Sequence, residues 1–321
     1  MTGPHQDGPQ PDPGPYEIVE YTDPLCPWAW GSEPAFRLLR AQAQGRIRWR
    51  RVFAILFDSD DDPAPDPDAE TAWYARYISD VAGHTGAPRA AGLERVARTS
   101  WPASLAARAA EAQGPLVAER VLRRLRESVF VLGLPADTEQ RALDCVRGVP
   151  GLDPERLRAD AGSAAVLASV RADHAEARAP LPEVLELQGP GPHPGGAREL
   201  NDGGHRYALP TIVIQGPGGC RVVPGLRDPQ AYTEALDEVL PAAGTPRPRL
   251  SAEAALDHYR SLTTRELLLL TGAAEPPRGA VRVDTAGGPL WLHPEEAAVR
   301  PATSGRLPSG PPANETPFGV H

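Results

Sequence analysis

The alternation of apolar and polar positions near the start of the chain predicts a β-α-β unit. Residues 16–21 form a short apolar-rich stretch typical of a strand, and residues 29–43 carry apolar side chains at helical spacing, ending near Gly45. Apolar positions alternate along residues 47–56, which predicts a second strand. Because a helix joins the two strands, we expect them to be parallel.

The pattern then changes to helical periodicity for more than a hundred residues. An acidic, proline-rich loop at residues 58–68 precedes a stretch, residues 69–187, in which every segment is typical of a helix. The clearest amphipathic stripe runs from Leu116 to Val129. Glycine and proline clusters divide the stretch, which predicts several helices forming one all-helical insertion.

A hairpin and a closing helix are predicted after this insertion. Residues 209–215 form an apolar strand that opens with Pro210, residues 216–219 form a turn, and residues 220–223 form the returning strand. A helix over residues 228–240 begins with Asp228 as N-cap and Pro229 in its first turn. The intervening residues 188–204 are rich in glycine and proline and should be irregular.

The C-terminal segment predicts a separate small module with two short helices and a hairpin. A docking module and a shrunken winged helix are two possible interpretations of this module. Because it lacks a recognition helix and has few basic residues, we expect a structural addition that packs on the main domain. We therefore expect the chain to divide into a disordered tail at 1–15, an α/β domain at 16–58 and 188–240, a helical insertion at 59–187, a module at 249–295 and a disordered tail at 296–321.

Charge and composition argue against nucleic-acid and membrane partners. The net charge is -9, and all 33 basic residues are arginine, which is typical of a GC-rich genome. The chain therefore has no general basic field, and no lysine for amine chemistry. It has no apolar run of about 20 residues. The first fifteen residues have neither the cationic nor the apolar region of a signal peptide, so we expect a cytoplasmic protein with three free thiols.

The candidate chemistry lies between the first strand and the first helix, where residues 23–30 have the sequence DPLCPWAW. Cys26 would stand at the helix N-terminus, where unpaired backbone N–H groups and the helix dipole favour the thiolate and predict a lowered pKa. Pro27 suits the first helical turn. We expect Trp28 to form a wall of the site and Trp30 to pack in the core. The alternative is that Cys26 is an inert remnant.

The second element of the candidate site is Leu209–Pro210–Thr211, about 180 residues later. A proline that opens a core strand is unfavourable unless its missing N–H is not needed there. A cis peptide bond at this position would place the proline against Cys26 and leave the carbonyl and N–H of Leu209 free to pair with an extended substrate.

Together these segments resemble the DsbA family, in particular its FrnE-like, actinobacterial type. The stretch YTDPLCPWAWGSEP is similar to the family's D-P-x-C-P-W-C-[WF] segment, and the resemblance covers roughly residues 16–240. It implies a thioredoxin-like α/β fold with an all-helical insertion after the second strand, which covers the active cysteine. By position, Cys26 is the attacking cysteine, Pro27 and Trp28 tune it, and Pro210 is the cis-proline.

Two positions depart from the family pattern. Ala29 stands where the resolving cysteine is usual, so Cys26 has no local partner for a disulfide. Leu209 replaces a small or β-branched residue before the cis-proline, which should narrow the substrate groove. A dithiol oxidase cycle is therefore disfavoured.

The resemblance implies three candidate functions. The favoured one is a monothiol oxidoreductase, in which an external small thiol such as mycothiol resolves a mixed disulfide on Cys26. Its substrate would be a thiol conjugate, or a peptide or protein disulfide, and no metal or tightly bound cofactor is expected. The alternatives are a thiol-dependent isomerase or transferase, and a non-catalytic adaptor that holds a peptide beside Pro210.

The remaining chemical groups have simpler explanations. Cys145 is expected to be a small buried residue rather than a resolving thiol, and Cys220 a strand-end residue too far from Pro210 to resolve Cys26. The histidines show no metal-ligand spacing. Arg206 is close enough in sequence to Pro210 to bind a substrate carboxylate, but a solvated loop is favoured there.

Overall fold

The computed structural model describes residues 15–43, 47–58, 65–188, 193, 195–240 and 249–300; of the expected tails at 1–15 and 296–321, residues 1–14 and 301–321 lie outside these ranges. The predicted β-α-β unit is present. β1 pairs in parallel with β2, with Glu17 opposite Arg48, and all six residues of β1 are buried. The helix begins directly after Cys26, two residues earlier than predicted. These elements are β1 (Glu17–Thr22), α1 (Pro27–Ala43) and β2 (Arg48–Phe53).

In the described part of the chain, seven helices lie between β2 and the next strand and form the insertion. Four of them begin with an Asp, Ser or Thr side chain that accepts a backbone N–H, so capping defines their starts. Residues 86–100 are irregular rather than helical, which corrects the prediction of helix throughout. The helices are α2 (Pro67–Thr85), α3 (Trp101–Glu111), α4 (Pro115–Phe130), α5 (Glu139–Cys145), α6 (Pro154–Ala161), α7 (Ala164–Ala177) and α8 (Pro182–Leu185).

A short hairpin leads from the insertion back to the main sheet. It consists of β3 (Ala197–Glu199) and β4 (His205–Tyr207), paired antiparallel. The sequence predicted irregular structure and a solvated loop here. Three-residue strands are too short to show a period, so pairing with each other, rather than local pattern, defines this hairpin.

The main sheet is completed by the predicted hairpin and closing helix: β5 (Thr211–Gly216), β6 (Gly219–Pro224) and α9 (Pro229–Val239). The strand order is β2-β1-β5-β6, and β5 runs antiparallel to both of its neighbours. Apolar residues of α1, α9 and the sheet form one core, while a second core, built on α3 and α4 of the insertion, also includes Leu25, Trp30 and Phe53. This is a thioredoxin-like α/β fold with a helical insertion after the second strand, as the sequence predicts.

The C-terminal module packs on α1 and α4 through buried ion pairs. Glu266 accepts two hydrogen bonds from Arg123 of α4, at 2.8 and 3.1 Å, and pairs with Arg37 of α1 at 3.1 Å. The structure adds a strand and a final helix to the predicted elements, and that helix extends past residue 295, into the expected tail. The elements are α10 (Ala252–Tyr259), β7 (Ser261–Thr263), α11 (Thr264–Thr271), β8 (Val281–Val283), β9 (Leu290–Leu292) and α12 (Pro294–Val299).

None of the helices in the described ranges combines the length and the apolar character needed to cross a membrane.

Candidate functional site

Cys26 is held between β1 and α1 by the backbone on both sides. Its N–H donates to the carbonyl of Asp23 at 3.2 Å, and its own carbonyl accepts the N–H of Trp30 at 3.0 Å. Pro27 is the first residue of α1, so Cys26 occupies the N-cap position. The Cys26 residue is only 3% exposed. The thiol is therefore positioned by the start of the helix but covered from solvent.

Asp23 fixes the loop that carries Cys26. Its two carboxylate oxygens accept the N–H groups of Leu25 and Leu56, each at 2.7 Å, and the residue is fully buried. The first bond shapes the turn before Cys26, and the second ties that turn to the chain just after β2. Sequence reasoning gave Asp23 no role, although it belongs to the D-P-x-C segment. The structure identifies it as a positioning residue.

The Leu209–Pro210 peptide bond is cis, and its carbonyl lies against the thiol. Cys26 Sγ donates to the carbonyl oxygen of Leu209 at 3.7 Å. Thr211 begins β5, pairs with Tyr21 of β1, and donates through Oγ1 to the carbonyl of Ala208 at 2.6 Å. The two segments that the sequence singled out, 180 residues apart, thus meet at one point.

His193 also contacts the Leu209 carbonyl, which sequence reasoning missed. Its Nε2 lies 3.0 Å from that oxygen, while Nδ1 accepts the N–H of Gly195 at 3.2 Å. Since Nδ1 is an acceptor, the proton resides on Nε2, which donates to Leu209. The expectation that this carbonyl is free for a substrate strand is wrong, because the Cys26 thiol and the His193 ring both donate to it. Burial lowers the pKa of His193 to about 4, so the ring is neutral at pH 7.

Trp28 forms a wall of this site. Its Nε1 donates to the Tyr77 hydroxyl at 2.6 Å, and its ring meets the edge of His193 with centroids 5.2 Å apart. Tyr77 stacks in turn on Trp73, which is 57% exposed, and the two rings line an open cleft on α2. A chain of aromatic contacts therefore leads from the surface of the insertion to the immediate surroundings of Cys26.

Trp30, by contrast, packs in the core. Its ring stacks on Phe130 of α4 with centroids 6.2 Å apart, and its Nε1 donates to the carbonyl of Pro88 at 2.8 Å. The residue is 3% exposed. These contacts fasten α1 to the helical insertion.

The prediction of a lowered pKa for Cys26 is wrong in this closed arrangement. Burial raises the pKa of the thiol to about 11, and the nearby Asp23 carboxylate acts in the same direction. The backbone N–H groups of Ala29 and Trp28 and the Arg206 guanidinium favour the thiolate, but they do not outweigh burial. Sequence position at a helix start reveals these donors, whereas it does not reveal how completely the thiol is covered.

The other thiols are not brought to Cys26. Ala29 is fully buried at the position of the missing resolving cysteine. Cys145 packs against the core built on α3 and α4, donates to the carbonyl of Ala142 at 3.3 Å, and has its pKa raised to about 12 by burial. Cys220 pairs with Gln215 in the ladder of β5 and β6, whereas Thr211 lies at the other end of that ladder, opposite Pro224. Four residues separate Cys220 from this end, a distance of about 13 Å along a strand.

Comparisons with known proteins agree with the thioredoxin-like fold. Residues 20–179 match the family model described as "Thioredoxin". Two similar curated proteins are ClpXP adapter protein SpxH of Shouchella clausii, 30% identical over 161 residues, and SpxH of Halalkalibacterium halodurans, 29% identical over 166 residues. Each alignment covers 50% of this chain and 52% and 53% of the respective relative, so the chain spans about half the length of the curated relatives it matches.

Among solved structures, a candidate protein disulfide isomerase from Nitrosomonas europaea matches with a TM-score of 0.54. The sequences are 14% identical, and the match covers 70% of this chain and 96% of that protein. At this identity the likeness establishes the thioredoxin-like fold alone.

Proposed function

We propose that the protein is a thiol–disulfide oxidoreductase that acts through Cys26 alone and uses an external small thiol to complete its cycle. The observation that carries the proposal is the meeting of three features: Cys26 at the start of α1, its sulfur 3.7 Å from the carbonyl before Pro210, and Ala29 in place of a second cysteine. By resemblance, mycothiol is one candidate for the small thiol.

The chemistry is a pair of exchange steps. The Cys26 thiolate attacks one sulfur of a substrate disulfide; its new S–S bond forms as the old one breaks, and the departing thiolate takes the electron pair and a proton from water. A small-thiol thiolate then attacks the substrate sulfur bound to Cys26; a new S–S bond forms between them, and the Cys26 thiolate leaves with the electron pair of the old bond. Overall, one half of the substrate is released as a thiol and the other half is released as a disulfide with the small thiol, which is thereby oxidised.

Activation of Cys26 requires that the residues packed over its sulfur, here called its cover, move and expose it to solvent. Burial is the main cause of its raised pKa, so exposure of the sulfur removes that cause. The N–H groups of Trp28 and Ala29 belong to the first turn of α1 and remain in place when the cover moves. The same thiol is thus protected while closed and favoured as a thiolate when a substrate gains access.

The surroundings of Leu209 support a small partner over an extended peptide. Its carbonyl already accepts hydrogen bonds from Cys26 and His193, and its side chain is 4% exposed. An added peptide strand would have to displace His193 to use this acceptor. A small disulfide needs only to reach the sulfur.

Intact mass spectrometry tests the proposal. Wild type and Cys26→Ser are incubated with oxidised mycothiol and, separately, with glutathione disulfide, both in a Cys145→Ser/Cys220→Ser background. We expect one adduct on the protein that retains Cys26, reversed by the matching free thiol, and none on Cys26→Ser. Absence of a reversible adduct on Cys26 with either disulfide would refute the oxidoreductase proposal.

A second candidate is a non-catalytic adaptor, which is favoured by the similarity to proteins named ClpXP adapter SpxH and by the burial of Cys26. The two proposals predict different effects of replacing the sulfur of Cys26 by oxygen. An adaptor that uses this fold only for binding should retain its partner when Cys26 becomes serine, since serine differs from cysteine only in its side-chain oxygen and nearly keeps its shape. An oxidoreductase loses its turnover completely with the same change.

A further inference from the structure

The β3–β4 hairpin places two arginines side by side at the candidate site. Arg198 and Arg206 are direct partners in the antiparallel register, so their side chains project from the same face of the hairpin. Like charges at such positions are destabilising. An arrangement that costs stability points to a use for the combined charge.

Arg206 lies close to the thiol. Its guanidinium interacts electrostatically with the Cys26 sulfur and with Asp23, and also with Arg198 and Arg178. Its hydrogen bond is a local one, from Nη1 to the carbonyl of Tyr207 at 2.9 Å. Among the described residues, neither Arg206 nor Arg198 forms an ion pair with a carboxylate. Arg206 is therefore a half-buried cation next to the reactive atom, attracted by Asp23 but not ion-paired with it.

A third arginine approaches from the loop after β6. Arg227 interacts electrostatically with His193, and its Nη1 is buried without a hydrogen-bond partner in the described part of the chain. Gly225, two residues earlier, packs so closely on His193 that a Cβ there would lie 2.3 Å from Nδ1. The Arg227 loop is thus fixed against the residue that caps the Leu209 carbonyl. A buried guanidinium nitrogen lacking an acceptor is costly unless a ligand supplies one.

We propose that Arg198, Arg206 and Arg227 form an anion-binding subsite beside Cys26 that selects small disulfides bearing carboxylates. The inference rests on the proposed function and names its substrate class. Arginine forms charge-assisted, two-pronged hydrogen bonds with a carboxylate, which would pair the unpaired guanidinium groups described above. A neutral thiol conjugate would leave these charges unpaired. Because mycothiol carries no free carboxylate, the subsite favours glutathione-like disulfides as substrates over oxidised mycothiol.

The test compares three disulfides that differ in charge: glutathione disulfide, neutral bis(2-hydroxyethyl) disulfide and cationic cystamine. The rate constant for Cys26 modification is measured with each, in the Cys145→Ser/Cys220→Ser background at low salt. The ratio of the glutathione disulfide rate to the neutral rate is the readout, because any change in the reactivity of Cys26 itself cancels. For Arg198→Gln/Arg206→Gln we expect this ratio to fall about tenfold, within the range of electrostatic steering.

Matched variants complete the design. Arg158→Gln removes the same charge from an exposed site on α6 and should leave the ratio unchanged. The single variant Arg198→Gln changes an exposed residue, so a smaller fall in its ratio guards against misfolding of the double variant. Arg227→Gln should lower the ratio independently. Added salt should reduce the wild-type ratio and should have little effect on the double variant.

The outcomes separate the inference from the proposed function. An unchanged ratio in both Arg198→Gln/Arg206→Gln and Arg227→Gln, with Cys26 still reactive, overturns the subsite and leaves the oxidoreductase proposal intact. If Cys26 reacts with none of the disulfides, the oxidoreductase proposal fails, and binding of S-methylglutathione, which cannot exchange, then tests the subsite alone. The subsite is supported if calorimetry shows that wild type binds S-methylglutathione and the double variant does not. It is refuted if wild type does not bind S-methylglutathione.

Discussion

Protonation of His193 should destabilise the folded chain, and the structure fixes both the sign and the size of the effect. The ring is 3% exposed, donates from Nε2 to the Leu209 carbonyl and accepts the Gly195 N–H at Nδ1. A second proton would turn Nδ1 into a donor facing another donor, inside a buried site. The folded state therefore prefers the neutral ring, which agrees with a pKa of about 4 lowered by burial.

The pH window follows from the two states of this residue. The unfolded chain binds a proton at His193 near the reference value of 6.5, whereas the folded chain does so only near 4. Between these values the unfolded state binds more protons, so stability falls as the pH falls. From pH 7 to pH 5 the loss attributable to this one ring is about 2 kcal/mol, growing to about 3 kcal/mol below pH 4.

Urea denaturation of wild type and His193→Gln at pH 7.0 and pH 5.0 measures this loss. Glutamine can donate to Leu209 and accept from Gly195 but does not titrate, so its pH-dependent change should be smaller than that of wild type by about 2 kcal/mol. The lowered pKa of His174 contributes equally to both proteins and cancels. His193→Ala should be less stable at pH 7 yet show the same reduced pH dependence as His193→Gln. Equal pH dependence in wild type and His193→Gln would refute the assignment of a neutral, buried ring.

Three further outcomes are expected. Ala29→Cys places a second thiol one turn from Cys26 and should create insulin-reducing turnover that wild type lacks, measured as the turbidity of reduced insulin. Because Ala29 is fully buried, overpacking should lower the free energy of unfolding by about 1–3 kcal/mol, measured by urea denaturation. Alkylation of wild-type Cys26 should have its pH midpoint above the ordinary value, and Asp23→Asn should lower that midpoint by removing a nearby negative charge. Leu209→Thr should widen the groove and increase the range of bulky disulfides that mass spectrometry finds on Cys26, whereas an unchanged range would show that Leu209 does not limit access.

Much of the fold is determined by patterns that the sequence displays directly. Alternation and helical spacing predict β1, α1, β2 and the β5–β6 hairpin, and Asp228 with Pro229 correctly predicts the start of α9. The elements that were missed are short. β3, β4 and β7 have three residues each, so the partner strand rather than the local sequence determines their conformation. The irregular stretch at 86–100 was missed because its composition is compatible with a helix.

The candidate site shows the same division between local and tertiary information. The Cys26 and Pro210 segments are recognisable because each motif is local, and the fold brings them together. His193 lies in a glycine- and proline-rich segment with no pattern, so only the three-dimensional structure shows its bond to the Leu209 carbonyl. Arg206 was weighed as a carboxylate ligand but assigned to a solvated loop. Its strand pairing with Arg198 and its closeness to Cys26 depend on tertiary structure.

The shared carbonyl of Leu209 explains how one site can hold Cys26 both as a thiol and as a thiolate. In the closed state the thiol proton is donated to that oxygen. When the proton leaves, two electron-rich atoms face each other, and the sulfur is repelled towards the N–H groups of Trp28 and Ala29. The carbonyl is not left without a donor, because His193 Nε2 remains 3.0 Å away. Ionisation therefore exchanges one favourable contact of the sulfur for another without exposing a buried acceptor, provided that the His193 ring keeps its single proton on Nε2.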